Sequence, residues 1–234
     1  MTPAIDVRGL VVRYGSRTIV NGLDLTIERG CVYALLGGNG AGKTTTINTL
    51  LGFTSPAQGE IRIDGVMGVP AQQLLAYLPE NVALYPYLTG IENLRYFCAL
   101  GGTQIRLEQA NEMLEQTGLA RDSIDRRVAT YSKGMRQKVG LCIAYARRAR
   151  AMLLDEPTSG LDPDAAHDFA NRVRELGNAG IAVLMATHDL FNAKQVADRI
   201  GIMKTGRIVA ELDCQRVTLH ELQELYLTHV RSAA

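Results

Sequence analysis

Gly37-Gly38-Asn39-Gly40-Ala41-Gly42-Lys43-Thr44 fits the spacing G-x-x-x-x-G-K-[ST]. The run follows the apolar stretch Cys31 to Leu36 and leads into a helical segment, Lys43 to Leu51. Glycines let the backbone curl so that successive N–H groups point inward, and the helix N-terminus adds a favourable dipole. Such a cradle suits phosphate oxygens. Lys43 would reach the β and γ phosphates of a nucleotide, Thr44 would hold Mg²⁺ through its hydroxyl, and Thr45 joins the same ATP-binding set. A phosphate cradle alone is shared by GTPases, kinases, helicases and transport motors.

A second segment, Ala151 to Glu156, is apolar and ends in two acids. Open α/β sheets place their ligands at the C-terminal ends of strands. There Asp155 is expected to hold the metal and Glu156 to polarise an attacking water. A third apolar run, Ile181 to Thr187, brings His188 to the same edge, where a γ-phosphate contact is expected. Lys43, Glu156 and His188 form the expected catalytic set.

The elements that must position these residues follow from periodicity. Ile5 to Val12 and Thr18 to Ile27 alternate around Tyr14-Gly15-Ser16, the pattern of an antiparallel hairpin. The apolar runs Cys31 to Leu36, Ala151 to Asp155 and Ile181 to Thr187 each precede a helical segment, as in a parallel α/β sheet. From 85 to 148 the strand pattern gives way to helical spacing. Thr89 with Glu92 reads as a capping box, and further helices are predicted over Ile105 to Thr117 and Lys133 to Arg148. The fold class is α/β: a P-loop NTPase core with a mostly parallel sheet, an N-terminal antiparallel β subdomain and an inserted α-helical subdomain. The tail, 213–234, carries Leu219, Leu222, Leu225, Tyr226 and Val230 near helical spacing and is expected to pack on the core.

Tyr131-Ser132-Lys133-Gly134-Met135-Arg136-Gln137 resembles the signature motif of ABC ATPases, whose usual form is Leu-Ser-Gly-Gly-Gln. It is followed by Asp155-Glu156-Pro157-Thr158-Ser159-Gly160-Leu161-Asp162 and then Thr187-His188-Asp189. With the phosphate loop ahead of them, the ordered set makes nearly the whole chain, 1–234, resemble one ABC transporter ATPase domain. The resemblance implies a homodimer with composite ATP sites, each completed by Ser132, Lys133, Gly134, Ser159 and Asp162 of the opposing subunit. It also implies that Tyr14 stacks on adenine and that Glu80 stands where a Gln is usual, as a ligand for Mg²⁺ beside Thr44 and Asp155. Lys133 and Met135 depart from the usual signature in the same way. Together these departures resemble the ATPases of two-component ABC-2-type exporters. Glu80 to Leu88 corresponds to the groove in which such ATPases receive an integral membrane permease.

The balance of 25 basic and 24 acidic residues leaves a net charge of +1 and no bulk attraction to nucleic acid, so no nucleic acid is expected as a partner. Arg121, Arg126, Arg127, Lys133, Arg136, Lys138, Arg147, Arg148 and Arg150 make the middle of the chain locally basic, which reads as a solvated face. The four cysteines lack metal-site or redox spacing and read as small core residues of a reduced, cytoplasmic protein. The longest apolar runs fall well short of the roughly 20 residues of a spanning helix, so a membrane would be crossed by another chain. The expected place is peripheral, on the cytoplasmic face. Two other readings stay open on the residues alone: a soluble ABC-type ATPase acting on a nucleic acid or ribosomal partner, and a slow nucleotide-dependent scaffold.

Overall fold

The computed structural model describes residues 2–147 and 149–231. In chain order it contains β1 (Ile5–Tyr14), β2 (Arg17–Ile27), β3 (Val32–Leu36), α1 (Lys43–Leu50), β4 (Gln58–Ile63), α2 (Val69–Gln72) and β5 (Leu75–Leu78). A helical stretch follows with α3 (Gly90–Leu100), α4 (Leu107–Gln116), α5 (Arg121–Ile124) and α6 (Lys133–Ala146). The chain then returns to α/β with β6 (Ala151–Asp155), α7 (Pro163–Asn178), β7 (Ala182–Thr187), α8 (Leu190–Val196), β8 (Arg199–Lys204), β9 (Arg207–Asp213) and α9 (Leu219–Arg231).

The larger sheet runs β5-β6-β7-β3-β8-β9, parallel throughout except for β9, which pairs antiparallel with β8. Every residue of β3, β6 and β7 is buried, as expected of strands covered on both faces. On one face lies a second, antiparallel sheet, β2-β1-β4. Ile5, Leu10, Ile27, Leu35, Ile47, Leu153 and Leu184 fill the space between the sheets, so α1 is clamped there. On the other face Leu141, Phe169, Val173, Val196 and Leu222 join α6, α7, α8 and α9 to the sheet. A third cluster, with Leu94, Cys98, Leu114, Val139 and Cys142, holds the helical stretch together.

The hairpin and the parallel strands match the sequence reading, as does the capping box. Thr89 Oγ1 accepts from Glu92 N at 3.2 Å, while a Glu92 carboxylate oxygen accepts from Thr89 N at 2.8 Å. Each such cap contributes about 1 kcal/mol. The helix predicted over Ile105 to Thr117 is shorter, Leu107–Gln116, and the one predicted from Lys133 ends at Ala146; Arg148 lies outside the described residues. β4, β5, β8 and β9 have no counterpart in the sequence reading. β5 has four residues, β4 is largely exposed with two apolar residues, and β9 alternates exposed and half-buried positions. The tail helix packs as expected, with Leu222 fully buried; the side chain of Val230 is outside the described set.

Burial pushes the Cys142 thiol up to about 12 and the Cys98 thiol up to about 11, so both stay protonated as core residues. The basic stretch is partly paired: Arg121 with Glu115, Lys138 with Asp168, and Arg136 on the Tyr131 carbonyl.

Candidate nucleotide site

The turn between β3 and α1 carries the Gly37–Thr44 loop. Gly42 has φ 110, a left-handed conformation that disfavours side chains, and a Cβ there would meet the Ile19 carbonyl oxygen at 3.1 Å. A Cβ on Gly37 would come within 2.6 Å of the Met203 carbonyl oxygen. These two glycines are therefore dictated by close packing against β2 and β8. Lys43 is 6% exposed, and its ammonium donates to the Gly37 carbonyl at 2.7 Å.

At the C-terminal edge of the sheet the acids meet this loop. Thr44 Oγ1 donates to Asp155 Oδ1 at 3.2 Å. Glu156 Oε1 lies 3.3 Å from Lys43 Nζ, and Glu156 Oε2 lies 2.9 Å from His188 Nδ1. Glu156 itself has φ 45, uncommon outside glycine, which costs on the order of 1 kcal/mol and turns its carboxylate back over the strand end. Burial raises the Asp155 carboxyl above its ordinary value, against the bond from Thr44, with neighbouring Glu156 pushing the same way. A buried carboxylate beside a hydroxyl is a hard oxygen donor pair that fits Mg²⁺.

The remaining residues singled out by sequence fall into two groups. Glu80 lies on the loop between β5 and α3, where its Oε1 accepts from Ser159 Oγ at 3.1 Å and sits 3.8 Å from Lys133 Nζ. Ser132 caps α6 by accepting from Met135 N at 3.2 Å, and Asp162 caps α7 by accepting from Ala165 N at 2.8 Å. A Cβ on Gly134 would stand 3.3 Å from Ala165 Cβ, so the two helix starts pack closely. Tyr14 stands apart from the acids, 52% exposed, with its hydroxyl 3.1 Å from Thr54 Oγ1. Lys43, Thr44, Asp155, Glu156 and His188 are thus brought into one cluster. Ser132, Lys133, Gly134, Ser159 and Glu80 form another, and Lys133 contacts its own chain there.

Four contributors were missed by sequence. Gln137 donates through Nε2 to the Glu80 carbonyl at 2.9 Å, although it lies within the quoted signature run. Asn192 donates to Thr158 Oγ1 at 3.1 Å and to Asp189, tying the loop after β6 to α8. Tyr96 and Phe97 of α3 pack on Tyr85, with ring centroids 4.9 and 5.9 Å away. For the last pair the available signal was two aromatic residues on the helix that follows Tyr85 and Tyr87.

A profile described as ABC transporter matches residues 20–159. The daunorubicin resistance ATP-binding protein DrrA3 of Streptomyces coeruleorubidus is 38% identical over 89% of this chain and 67% of its own length. The Nod factor export ATP-binding protein I of Burkholderia lata is 37% identical over 88% of this chain and 70% of its own length. A solved ATP-binding subunit of an ABC transporter superposes with a TM-score of 0.82 at 30% identity, covering 96% of this chain and 98% of that one. The fold and the glycine-rich loop at the sheet edge are those of an α/β P-loop protein. The chain belongs to the ABC transporter family and is an ATP-hydrolysing, ATP-binding subunit of it. The likeness to exporter ATPases read from the signature and Glu80 is borne out by these relatives. Among the described residues, no helix is long and apolar enough to cross a membrane.

Proposed function

We propose that this subunit energises export through a separate membrane permease, acting with Mg²⁺-ATP as a homodimer on the cytoplasmic face. The observation that carries the reading is the continuous chain Lys43–Glu156–His188 beside the Thr44–Asp155 pair, all on one sheet edge. The backbone N–H groups of Gly38 to Thr44 bind the phosphates, and Lys43 exchanges its carbonyl and Glu156 contacts for phosphate oxygens. Glu156 orients a water and takes its proton as the water oxygen bonds to Pγ; the bond from Pγ to the β–γ bridging oxygen breaks and ADP leaves. His188, held by the other Glu156 oxygen, faces the γ-phosphate. Mg²⁺ held by Thr44, Asp155 and Glu80 would neutralise phosphate charge during that displacement.

The capped helix start at Ser132 offers unpaired N–H groups and dipole to an anion across a two-fold interface, with Ser159 and Asp162 lining the same seam. Tyr85, Tyr96 and Phe97, with the largely exposed Tyr87, form an aromatic surface at the start of the helical stretch, suited to an apolar helix of a permease. Export as the direction is supported by the relatives named for resistance and export.

The test is Glu156→Gln, compared with wild type for phosphate release and for mass by size exclusion in Mg²⁺-ATP. Turnover is expected to fall on the order of 10²-fold or more, with the variant accumulating as an ATP-bound dimer. Wild-type turnover in the variant would sink the role of Glu156.

A further inference from the structure

Two residues that set this chain apart from the usual ABC pattern, Glu80 and Lys133, meet each other. Lys133 Nζ lies 3.8 Å from Glu80 Oε1, the same oxygen that accepts from Ser159 Oγ at 3.1 Å. The Glu80 backbone is fixed as well, since its carbonyl accepts from buried Gln137, one turn along α6 from Lys133. Gly160 borders the lysine, since a Cβ there would stand in ordinary contact, 3.6 Å from Lys133 Nζ.

The charges explain why the pair belongs together. Glu80 adds a carboxylate to the cluster next to Asp155, close enough to push that carboxyl up, where a glutamine would add no charge. A glycine at 133 could not answer it. The lysine stem spans from the first turn of α6 to the loop after β5 and brings one positive charge to one oxygen. That oxygen then has one hydrogen-bond donor, Ser159, and one ionic partner, Lys133, and a metal ion that binds it must displace at least one of them.

We propose that Lys133 is a positioning residue for Glu80 of its own chain, holding that carboxylate against Ser159 in competition with Mg²⁺, and so raising the metal concentration at which nucleotide is bound. The inference rests on the proposed role of Glu80 as a metal ligand. It gives Lys133 a partner within the chain in place of the ATP of an opposing subunit. Metal capture by Glu80 then frees Lys133 and Ser159, so the loop after β5, the loop after β6 and the signature helix report on metal occupancy together.

The experiment is equilibrium binding of a fluorescent, non-hydrolysable analogue, mant-AMP-PNP, to the full chain over a range of Mg²⁺ concentrations. Lys133→Ala is expected to lower the Mg²⁺ midpoint by about 2- to 5-fold, the range of a half-exposed ion pair. Lys133→Arg, which keeps the cation, leaves the midpoint near wild type. In a Glu80→Gln background, Lys133→Ala shifts nothing, because the contested carboxylate is gone. A midpoint that stays put or rises in Lys133→Ala overturns the proposal, as does an equal shift in both backgrounds. Weaker analogue binding in Lys133→Ala at every Mg²⁺ concentration, appearing only as dimer forms, would instead assign Lys133 to the opposing subunit's nucleotide. Failure of the metal-ligand reading is distinguishable: Glu80→Ala, which removes every side-chain oxygen at this position, would then leave the wild-type midpoint unchanged, and the competition would fall with it.

Discussion

Glu156 and His188 are joined carboxylate to imidazole, Oε2 to Nδ1, at 2.9 Å, and the His188 backbone N–H donates to the same oxygen at 3.3 Å. The second Glu156 oxygen faces Lys43. The histidine is thus aimed by Glu156, with its ring nitrogen Nε2 turned away from that carboxylate.

His188→Ala is expected to slow ATP hydrolysis on the order of 10²-fold, with nucleotide affinity in the absence of turnover changed far less. Phosphate release and mant-AMP-PNP binding, measured side by side, separate the two effects. Equal losses in both would mean that His188 serves binding and not the chemical step.

Tyr14 presents a half-exposed ring, anchored by its hydroxyl to Thr54 Oγ1. Stacking of a base on an aromatic ring contributes about 1–3 kcal/mol. Tyr14→Ala should therefore weaken ATP binding about 5- to 100-fold, while Tyr14→Phe, which keeps the ring, stays close to wild type. A Phe variant as weak as the Ala variant would locate the effect in the Thr54 contact.

Asp155 is held above its ordinary carboxyl value by burial. In the folded chain its ionised form is therefore disfavoured relative to the unfolded chain, a cost present at neutral pH and lost as pH falls through the folded value towards the unfolded one. Asp155→Asn should raise the nucleotide-free melting temperature at neutral pH, with the gain shrinking in acid below the raised value. The same variant should lose Mg²⁺-dependent turnover. A variant that melts below wild type at neutral pH would show that the Thr44 bond outweighs the burial cost.

The aromatic group of Tyr85, Tyr96 and Phe97 lies away from the acids, so its role is separable from hydrolysis. The double variant Tyr85→Ala/Tyr96→Ala should keep the basal ATPase of the isolated subunit within about 2-fold, as for surface changes, yet reduce the fraction of the subunit that sediments with membranes of its host. Unchanged membrane association would place the permease contact elsewhere.

What the chain announces locally, it announces well. The phosphate loop, the acids at the end of β6 and the caps at Thr89 and Ser132 are legible because each depends on neighbours within a few residues. Glycines, a strand-end carboxylate or a capping hydroxyl act through local backbone geometry. The central strands are legible because burial on both faces demands unbroken apolar runs. Half-exposed β4 and β9 and the four-residue β5 carry no such demand, and their pairing comes from sheet neighbours instead. The assembly of the site was equally beyond local reading. Thr44 and Asp155 are 111 residues apart, Ser159 and Glu80 are 79 apart, and Gln137 and Glu80 are 57 apart. Nothing in the spacing of Lys133 tells it to turn towards Glu80 of its own chain. That direction is set by how α6 packs on β5 and the sheet, because a long side chain goes where tertiary packing leaves room and opposite charge.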